Sequence, residues 1–485
     1  MFFLVLIIRS YLQKTFAFHF VDEEDNFILG RFVQQGDKIY KDLFSHHQPL
    51  AYLISALIQQ LTNPSSVFLL IKRHREFIVA WSTLWSILLI WRFGLSMAPL
   101  VLVLELTKIF LLGNLFLAES LSLYPLVYIT SLWFKKLLKK EAFFLGLNIG
   151  IVAMLLSPLW PLLVIFTCGW FFKVPRKAFL WLTGGILSIV LLTLPFISLP
   201  EYFLYSWYTN YRYYIPITVK ENQVTLLLES FFAPIQTLIN FSINTPTIWI
   251  FKVLSVGWLV GILYLLKERR WALAFWLFLF PGLANLRFVA PGQEEYSGFH
   301  LLPWFGVIIA SLWSLEKDLL TSRSKKIFGL SFCVLLIGVT FWKTLPIHLK
   351  PSDQATDFYV HYSTPIDIGS AIQAMKADGD TLMVVPDEWL VYWQSGVKNA
   401  SVMVNFYAWM NQVPYLRNSA HELFAKTPPT FLYLNRPGTG FEQYQNLYQE
   451  AIKDGANTRL FILKAKVNHL TAQQKKRLEF LRFVI

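Results

Sequence analysis

Four consecutive carboxylates, Asp22, Glu23, Glu24 and Asp25, follow the first apolar stretch of the chain. Charge beside hydrocarbon is costly, so acidic side chains at such a position are more often functional than incidental. A carboxylate can take the proton of an attacking hydroxyl as a general base, and it can also bind a divalent metal. We therefore take Asp22 and Glu23 as candidate catalytic residues. Glu24 and Asp25 have an equally good alternative explanation, because carboxylates favour the first turn of a helix.

Basic and imidazole side chains form a second group of candidates. His46 and His47 are adjacent in a polar segment, and histidine both titrates near neutral pH and ligates metals readily. Arg287 and His300 lie near the start of a late apolar stretch, where positive or N–H-bearing groups could stabilise a phosphate. The alternatives are interfacial histidines, a satisfied core histidine and an arginine that reaches the membrane interface.

Two further carboxylates lie within apolar stretches. Glu119 could be satisfied by a neighbouring helix or could serve in a site, and the residues around it favour neither interpretation. Glu105 needs no catalytic role, because Lys108 three residues further on predicts an ion pair on one helix face.

The composition is that of a polytopic membrane protein. Hydrophobic residues make up 55% of the 485 residues and charged residues only 15%, so the chain is far more apolar than a soluble protein of this length. The net charge of +13 comes largely from short loops between apolar segments, which indicates helix orientation rather than nucleic-acid binding. The two cysteines lie far apart in apolar runs and predict neither a disulfide framework nor a thiolate metal site.

Eleven segments are apolar enough to be candidate membrane helices, for which about 20 mostly apolar residues are needed. Arg9, Gln13 and Lys14 interrupt the first, so either it packs a polar stripe inward or a longer helix begins before this sequence does. The candidates are residues 1–20, 74–93, 97–113, 116–134, 142–156, 158–172, 178–198, 247–266, 271–290, 299–316 and 327–345.

Basic residues cluster in alternate connections, which the positive-inside rule assigns to the cytoplasm. These residues are Lys135, Lys136, Lys139, Lys140, Lys173, Arg176, Lys177, Lys267, Arg269, Arg270, Lys317, Arg323, Lys325 and Lys326. Residues 21–73 and 199–246 then form external loops of a transmembrane domain, residues 1–345, in the cell membrane. Residues 346–485 form a separate domain on the same external side.

This C-terminal segment has the composition of a small α/β domain, with more charge and more turn residues than the rest of the chain. We predict strands at 381–385, 401–406, 430–434 and 458–463, and helices at 366–377, 418–426, 441–454 and 471–482. Gly379 and Gly455 follow two of the predicted helix ends.

The first external loop carries a resemblance to a known family. Asp22-Glu23 is followed by a short amphipathic helix, by Gly36-x-x-x-Tyr-x-Asp-x-Phe44, and by His47 before Pro49-Leu50 and a second helix. This order resembles the first external loop of GT-C glycosyltransferases, in particular the branch of protein O-mannosyltransferases and lipid A aminoarabinose transferases. The predicted topology and the run Gly298-Phe-His-Leu-Leu-Pro303 are also similar.

The resemblance implies an inverting transfer of a sugar from a polyprenyl-phosphate donor to a protein, lipid or glycan acceptor. It implies that Asp22 is the general base, with Glu23 beside it, and that Glu119 stands where relatives often carry a second carboxylate. A divalent metal (Mg, Mn or Zn) on Asp22 and Glu119, or the basic group His46, His47, Arg287 and His300, would neutralise the leaving phosphate.

Two departures from the family pattern affect these expectations. His47 stands where relatives often carry a lysine, and Gln48 replaces a proline; neutral histidine is the weaker anion partner, which favours a metal-bound donor. Asp25 stands where aminoarabinose transferases carry an arginine, which disfavours that donor.

Two other functions compete with the transferase. A transporter or flippase of lipid-linked sugars would show inverted repeats and helices broken at matching positions in two halves, and neither is visible in the sequence. A non-enzymatic scaffold that presents the C-terminal domain would leave the acidic loop without a task.

Overall fold

The structure is a computed structural model. It describes residues 2–135, 137, 141–219, 222–239, 246–289, 298–319, 323–438 and 440–485, without the side chains of 2–4, 246–247, 315–319 and 323–330. Lys136, Lys139 and Lys140 of the predicted cytoplasmic loops lie outside the described residues.

The described part of the chain is mainly helical. Its α-helices are α1 (Phe2–Gln13), α2 (Val21–Gln34), α3 (Leu50–Thr62), α4 (Val67–Phe93), α5 (Ala98–Thr107), α6 (Ala118–Trp133), α7 (Glu141–Leu155), α8 (Trp160–Lys173), α9 (Arg176–Thr193), α10 (Leu199–Tyr202), α11 (Ile215–Thr218), α12 (Gln223–Phe231), α13 (Ala233–Ile239), α14 (Pro246–Lys267), α15 (Trp271–Ala284), α16 (Leu302–Leu319), α17 (Arg323–Leu349), α18 (Gln354–Met375), α19 (Leu390–Ser395), α20 (Pro414–Lys426), α21 (Lys464–Asn468) and α22 (Ala472–Phe480). A π-helix, Phe203–Tyr214, joins α10 to α11.

Each of the eleven predicted apolar segments contains a helix. Four helical segments of the described chain are long and apolar enough to cross a membrane: Val67–Phe93, Arg176–Phe196, Ile248–Lys267 and Ser331–Leu349. The total of eleven spans stays a prediction.

The first predicted segment ends earlier than expected. α1 stops at Gln13, and Phe20 has extended backbone angles (φ −152°, ψ 126°) directly before α2. The acidic run therefore opens a second helix rather than closing the first.

The chain divides into two compact units. The first contains residues 1–15, 75–193 and 221–353, and the second contains residues 16–74, 194–220 and 354–485. The second unit thus combines most of the predicted external loops with the predicted C-terminal domain.

In the first unit, α7 and α9 pack with their backbones in close approach. A Cβ atom added to Gly146 would lie 1.9 Å from the carbonyl oxygen of Leu182, and one added to Gly185 would lie 2.3 Å from that of Phe143. Small residues allow such helix pairs to maximise van der Waals contact in lipid, where no hydrophobic effect drives helices together. The outer face of α9 exposes Leu180, Trp181, Leu187, Leu191 and Leu192.

The ion pair predicted within α5 and the following turn is confirmed. Lys108 Nζ lies 2.8 Å from Glu105 Oε2, and both side chains are buried. Lys108 also donates to the Tyr124 hydroxyl (2.9 Å), and Ser86 donates to Glu105 Oε1 (3.1 Å). A buried pair with several hydrogen bonds has the satisfied environment that such charges require.

The second unit contains a six-stranded sheet in the order β2-β1-β3-β5-β4-β6. Its strands are β1 (Thr381–Val385), β2 (Lys398–Asn399), β3 (Phe431–Leu434), β4 (Tyr448–Lys453), β5 (Ala456–Leu463) and β6 (Phe483–Val484). β1 pairs in parallel with β2 and β3, and the remaining pairs are antiparallel. β1 and β3 are almost wholly buried, which explains why the sequence of each strand is nearly all apolar and does not alternate with polar residues.

Three predicted strands, 381–385, 430–434 and 458–463, and three predicted helices are confirmed, with shifted ends. The strand predicted at 401–406 is wrong, because that segment makes a single bridge, Val384 to Asn405.

The helix predicted at 441–454 is also wrong: a short 3-10 turn (Glu442–Leu447) leads into β4. The reason is the turn at Asp454-Gly455. Both residues have positive φ (49° and 80°), the geometry of a two-residue hairpin turn rather than of a helix cap.

Candidate functional site

The four acidic residues lie in the first turn of α2, and their side chains occupy different faces of this helix. Residues three apart on a helix share a face, and the carboxyl groups of Asp22 and Asp25 line one pocket. Glu23 and Glu24 are almost fully buried and do not line it. Gly30 lets α2 pack closely on α3, because a Cβ atom there would lie 2.6 Å from Ser55 Oγ.

The pocket has a volume of about 250 Å³ and lies within the second unit. It combines carboxyl, imidazole, amide and aromatic groups from all three segments of that unit. The residues that line it are Asp22, Asp25, Leu29, Phe44, Ser45, His46, His47, Tyr214, Thr218, Trp389, Asn405, Tyr407, Trp409 and Met410.

Asp25 and Asp22 differ in their surroundings. Burial, and then the negative charge of Asp22, raise the pKa of Asp25 well above its usual range. The Tyr52 hydroxyl approaches Asp25 Oδ2 at 3.4 Å and contacts Ser45 Oγ at 2.8 Å. Two carboxyl groups close together cannot both ionise freely, so the pocket favours one charge and one proton.

The rings of His46 and His47 lie side by side at the pocket, with centroids 4.0 Å apart and a tilt of 38° between their planes. Their backbone is fixed, since Asn210 Nδ2 donates to the His46 carbonyl (2.8 Å) and the Tyr40 hydroxyl donates to that of His47 (2.7 Å). Burial, followed by the neighbouring His47 ring, lowers the pKa of His46 well below its usual range, whereas His47 is exposed, so solvent opposes the lowering of its own pKa. Neither ring carries the charge near pH 7 that a phosphate contact would use best.

The other predicted site residues meet in the first unit. Arg287 Nη2 donates to Glu119 Oε1 at 3.2 Å, and both side chains are largely buried. Ser230 Oγ donates to the backbone carbonyl of Arg287 (2.9 Å) and accepts from the backbone N–H of the same residue (3.1 Å). These two bonds fix the backbone of Arg287 just after α15. The charge of Arg287 also acts on the His300 ring. These contacts leave Arg287 partly neutralised by Glu119.

Sequence reasoning missed the wall of the pocket formed by Trp389, Asn405, Tyr407 and Trp409. No motif marks these residues: the sequence predicts a strand at 401–406 and no regular element at 407–409. Burial, followed by the charges of Asp22 and two other aspartates, raises the pKa of Tyr407. The Tyr407 hydroxyl therefore lies among the acidic groups as a neutral donor.

No protein-family model matches the chain, and no curated protein matches it. The chain is similar to the crystal structure of ArnT from Cupriavidus metallidurans bound to undecaprenyl phosphate, with a TM-score of 0.55. The match covers 95% of this chain and 97% of that chain, with 10% sequence identity. This chain has a GT-C-like fold. At this identity the likeness concerns the fold alone.

The likeness to ArnT supports the GT-C-like fold that the first external loop implied. The four long apolar helices of the described chain agree with the predicted multi-pass membrane protein. The particular branch, whether closer to protein O-mannosyltransferases or to aminoarabinose transferases, stays a prediction. So do the external side of the C-terminal segment and the role of each site residue.

The possible metal ligands of this chain suit some metals better than others. Among the described residues, no group of three or more His, Cys, Asp or Glu side chains could hold a metal ion. Zn²⁺ usually takes at least three protein ligands, whereas Mg²⁺ is often held by one or two carboxylates and substrate oxygens. Asp22 and Asp25 in one pocket fit the second arrangement. Asp22 and Glu119, the predicted pair, belong to different units.

A second acidic cluster lies around Glu388 in the same unit. Burial and the charge of Glu24 raise the pKa of Glu388 to about 7, with Asp387 adding to the shift and His19 and Arg436 opposing it. His19 Nε2 lies 2.7 Å from Glu24 Oε1. The folded chain thus holds a proton on Glu388 that the unfolded chain releases at lower pH.

We expect Glu388→Gln to stabilise the protein above pH 7 and to leave its stability near pH 5 almost unchanged. Between the ordinary glutamate pKa of 4.5 and the folded value of about 7, the native state binds more protons, so wild-type stability falls as pH rises. A glutamine does not ionise and so does not lose this stability. Above pH 7 the variant should therefore exceed the wild type in unfolding free energy by about 1–3 kcal/mol, a range that allows for the partial exposure of the group. Thermal unfolding in detergent at pH 5 and pH 8 measures this difference. The exposed Glu422→Gln is the control, and equal shifts at both pH values would refute the prediction.

Proposed function

We propose that this chain is a membrane glycosyltransferase that moves a sugar from a polyprenyl-phosphate donor to a protein, lipid or glycan acceptor on the external face of the cell membrane. One observation carries the proposal: Asp22 and Asp25 share an aromatic-lined pocket in a chain with a GT-C-like fold. The structural neighbour, ArnT, is bound to undecaprenyl phosphate, which supports a lipid phosphate as the donor's carrier.

In the proposed reaction, Asp22 accepts the proton of the acceptor hydroxyl as its oxygen attacks the anomeric carbon. The bond from this carbon to the phosphate oxygen breaks, the polyprenyl phosphate leaves with the bonding electrons, and the anomeric configuration inverts. The raised pKa of Asp25 suits this carboxyl group to donate a hydrogen bond rather than to act as the base.

The remaining predicted residues have supporting roles in this proposal. For Arg287 we keep the role predicted from the sequence, a positive charge for a phosphate, and in the first unit Glu119 fixes its guanidinium group. In the pocket, His46 and His47 contribute N–H donors rather than charge, and His300 keeps its predicted role as a phosphate partner. Glu23, buried beside Asp22, supports the first turn of α2.

A divalent metal, Mg²⁺ or Mn²⁺, would bind Asp22 and Asp25 only with both carboxyl groups ionised, and its positive charge would take the place of the proton that Asp25 otherwise holds. When bound there, it would supply positive charge for substrate oxygens without a proton transfer. The carboxyl groups would hold it, and the aromatic residues around them would limit access of water to the pocket.

Reconstitution of the purified chain in vesicles with a panel of radiolabelled polyprenyl-phosphate sugars tests the function. We expect transfer of label from one donor to an acceptor in a membrane extract, loss of that transfer in EDTA, and its recovery with Mg²⁺ or Mn²⁺. Protein-free vesicles give the background. Translocation of the lipid-linked sugars without transfer would instead identify a flippase, and transfer that persists in EDTA would remove the metal from the mechanism.

A further inference from the structure

One hydroxyl group in the wall of the acidic pocket is oriented for a ligand. Tyr407 lines the pocket and is only partly buried. Its hydroxyl oxygen accepts a hydrogen bond from the indole N–H of the buried Trp389. A phenol can also donate its own proton, and within the described residues no protein group accepts the proton of Tyr407. An acceptor for this proton would therefore stand in the pocket.

The fold fixes the direction of this hydroxyl group. Trp389 belongs to the hydrophobic core that joins α2 to the sheet, and its backbone carbonyl accepts the Tyr392 N–H at 3.0 Å. The backbone carbonyl of Tyr407 accepts the Met410 N–H at 2.9 Å, at the start of a 3-10 turn (Ala408–Gln412). Because a fixed indole N–H occupies one side of the Tyr407 oxygen, the phenol proton is confined to the other side before a ligand arrives.

The charged groups near Tyr407 are carboxyl groups, and they do not bind it directly. The charges of Asp22, Asp25 and Asp387 act on the Tyr407 hydroxyl, but none of these carboxyl groups hydrogen-bonds to it. Asp22 and Asp25 line the pocket together with Tyr407, whereas Asp387 does not. A cavity of about 250 Å³ is thus bounded by a neutral donor and by an acidic pair.

A hydroxyl group is the ligand chemistry that suits both sides of this cavity. It donates its own proton to a carboxylate, and its oxygen accepts the proton of Tyr407. A phosphate could accept from Tyr407 but would be repelled by the acidic pair, and the described lining residues include no lysine or arginine to offset this repulsion. An ammonium group would be attracted by the carboxylates but has no lone pair for the Tyr407 proton.

The rest of the lining suits a sugar ring as the carrier of this hydroxyl group. Tyr214 and Trp409, with ring centroids 5.1 Å apart, add aromatic surface for the apolar face of such a ring. A volume of about 250 Å³ is below the usual range for drug-sized ligands, roughly 300–1,000 Å³, and suits a single ring.

We propose that the Tyr407 hydroxyl, oriented by the Trp389 indole, donates a hydrogen bond to one ring hydroxyl of a sugar bound against Asp22 and Asp25, and so selects sugars that carry a hydroxyl group at that ring position. This inference rests on the proposed function, because it assigns the pocket to the sugar that is transferred or to the sugar that accepts transfer. Tyr407 is then a specificity-determining residue, which the C-terminal segment contributes to a pocket whose acidic groups come from α2.

Saturation-transfer-difference NMR on the full-length protein in detergent measures this contact without a transfer step. The probes are methyl glycosides of several hexoses and pentoses, and the deoxy analogues that each lack one ring hydroxyl, with inorganic phosphate as the anion arm. EDTA is present, so that no metal bridges the sugar to the carboxyl groups. We expect saturable binding of at least one glycoside and no comparable binding of phosphate.

Tyr407→Phe, which removes only the phenol oxygen, identifies the contact. In the wild type, loss of the ring hydroxyl that faces Tyr407 should weaken binding about 2- to 10-fold, as expected for one hydrogen bond. The variant should bind the parent glycoside more weakly by a similar factor, and should no longer distinguish it from that deoxy analogue. Such non-additivity identifies a direct contact, whereas a general loosening of the pocket would weaken both glycosides alike.

Tyr444→Phe is the matched control. Tyr444 belongs to the same unit, is also partly buried and lies outside the pocket. Its ring stacks on Phe424 at 4.2 Å, a contact that phenylalanine can retain, so binding and discrimination should match the wild type. If Tyr407→Phe does not fold, Trp389→Phe replaces it: without the indole N–H the Tyr407 hydroxyl is free to rotate, and discrimination against the deoxy analogue should fall.

Each outcome has a clear meaning. Unchanged binding of the parent glycoside by Tyr407→Phe, unchanged discrimination against every deoxy analogue, tighter binding of phosphate than of any glycoside, or no glycoside binding at all would overturn the inference. The transfer assay decides the proposed function separately: binding that depends on the Tyr407 hydroxyl in a protein that transfers no sugar would retain the contact and reject the transferase. In a protein that transfers sugar, a higher KM for the polyprenyl-phosphate sugar in Tyr407→Phe assigns the pocket to the donor sugar, and an unchanged KM assigns it to the acceptor.

Discussion

Asp22→Asn is expected to reduce sugar transfer by about 10²- to 10⁴-fold, the usual contribution of a general base. Asparagine keeps the size of the side chain but cannot accept the hydroxyl proton as a carboxylate does. Because the base acts in the transition state, we expect kcat to fall while KM changes little. Steady-state kinetics in reconstituted vesicles, with the donor that the wild type uses, provide the measurement.

Asp37→Asn serves as the matched control for this variant. Asp37 lies in the same unit just after α2, is partly exposed and does not line the pocket, so transfer should stay near the wild-type rate. Asp25→Asn tests which of the two carboxyl groups is the base. Full activity in Asp22→Asn together with an inactive Asp25→Asn would move the role to Asp25, and activity in both would contradict carboxylate catalysis in this pocket.

Gly185→Val is expected to prevent the first unit from folding stably. The new side chain would begin 2.3 Å from the Phe143 carbonyl oxygen and 2.7 Å from the Leu147 nitrogen, both of them backbone atoms of α7 that cannot rotate away. Overpacking in a tight interface costs about 1–3 kcal/mol, and more where backbone must shift. The yield of monodisperse protein after gel filtration, and its melting temperature in detergent, should both drop.

The neighbouring glycine gives an unusually close control for this experiment. A Cβ atom on Gly184 would meet no atom within 4 Å, so Gly184→Val should express and melt like the wild type. The two variants have the same composition and differ by one position in α9. Similar behaviour of both would mean that α7 and α9 do not pack as described.

The sequence predicted the parts of the fold that depend on local composition. Every apolar segment contains a helix, because a continuous apolar run has few alternatives in a chain of this kind. The Glu105–Lys108 pair was predictable from its spacing of three residues. Asp454-Gly455 was misread as a helix end, since a glycine after an apolar pattern fits either a helix cap or a hairpin turn until the partner strand is known.

The candidate site was predictable only in part. The acidic run was found from its charge, and the three-residue spacing of Asp22 and Asp25 could have identified the pair that shares a face. Asn405 and Trp389 carry no such signal. They follow the acidic run by more than 350 residues in the sequence, and only tertiary packing brings them to the pocket.

The assembly of the second unit from three distant segments has a consequence for the order of biosynthesis. Phe32 packs edge-on against Tyr392 at 5.9 Å, within a hydrophobic core that joins α2 to the sheet. On the ribosome, residues 16–74 emerge hundreds of residues before the strands that bury them. The apolar side chains of the acidic loop must therefore stay uncovered until the strands from residue 381 onward have been synthesised. A chain that ends before Trp389 lacks one wall of the pocket, so we expect it to leave the acidic pair open to solvent.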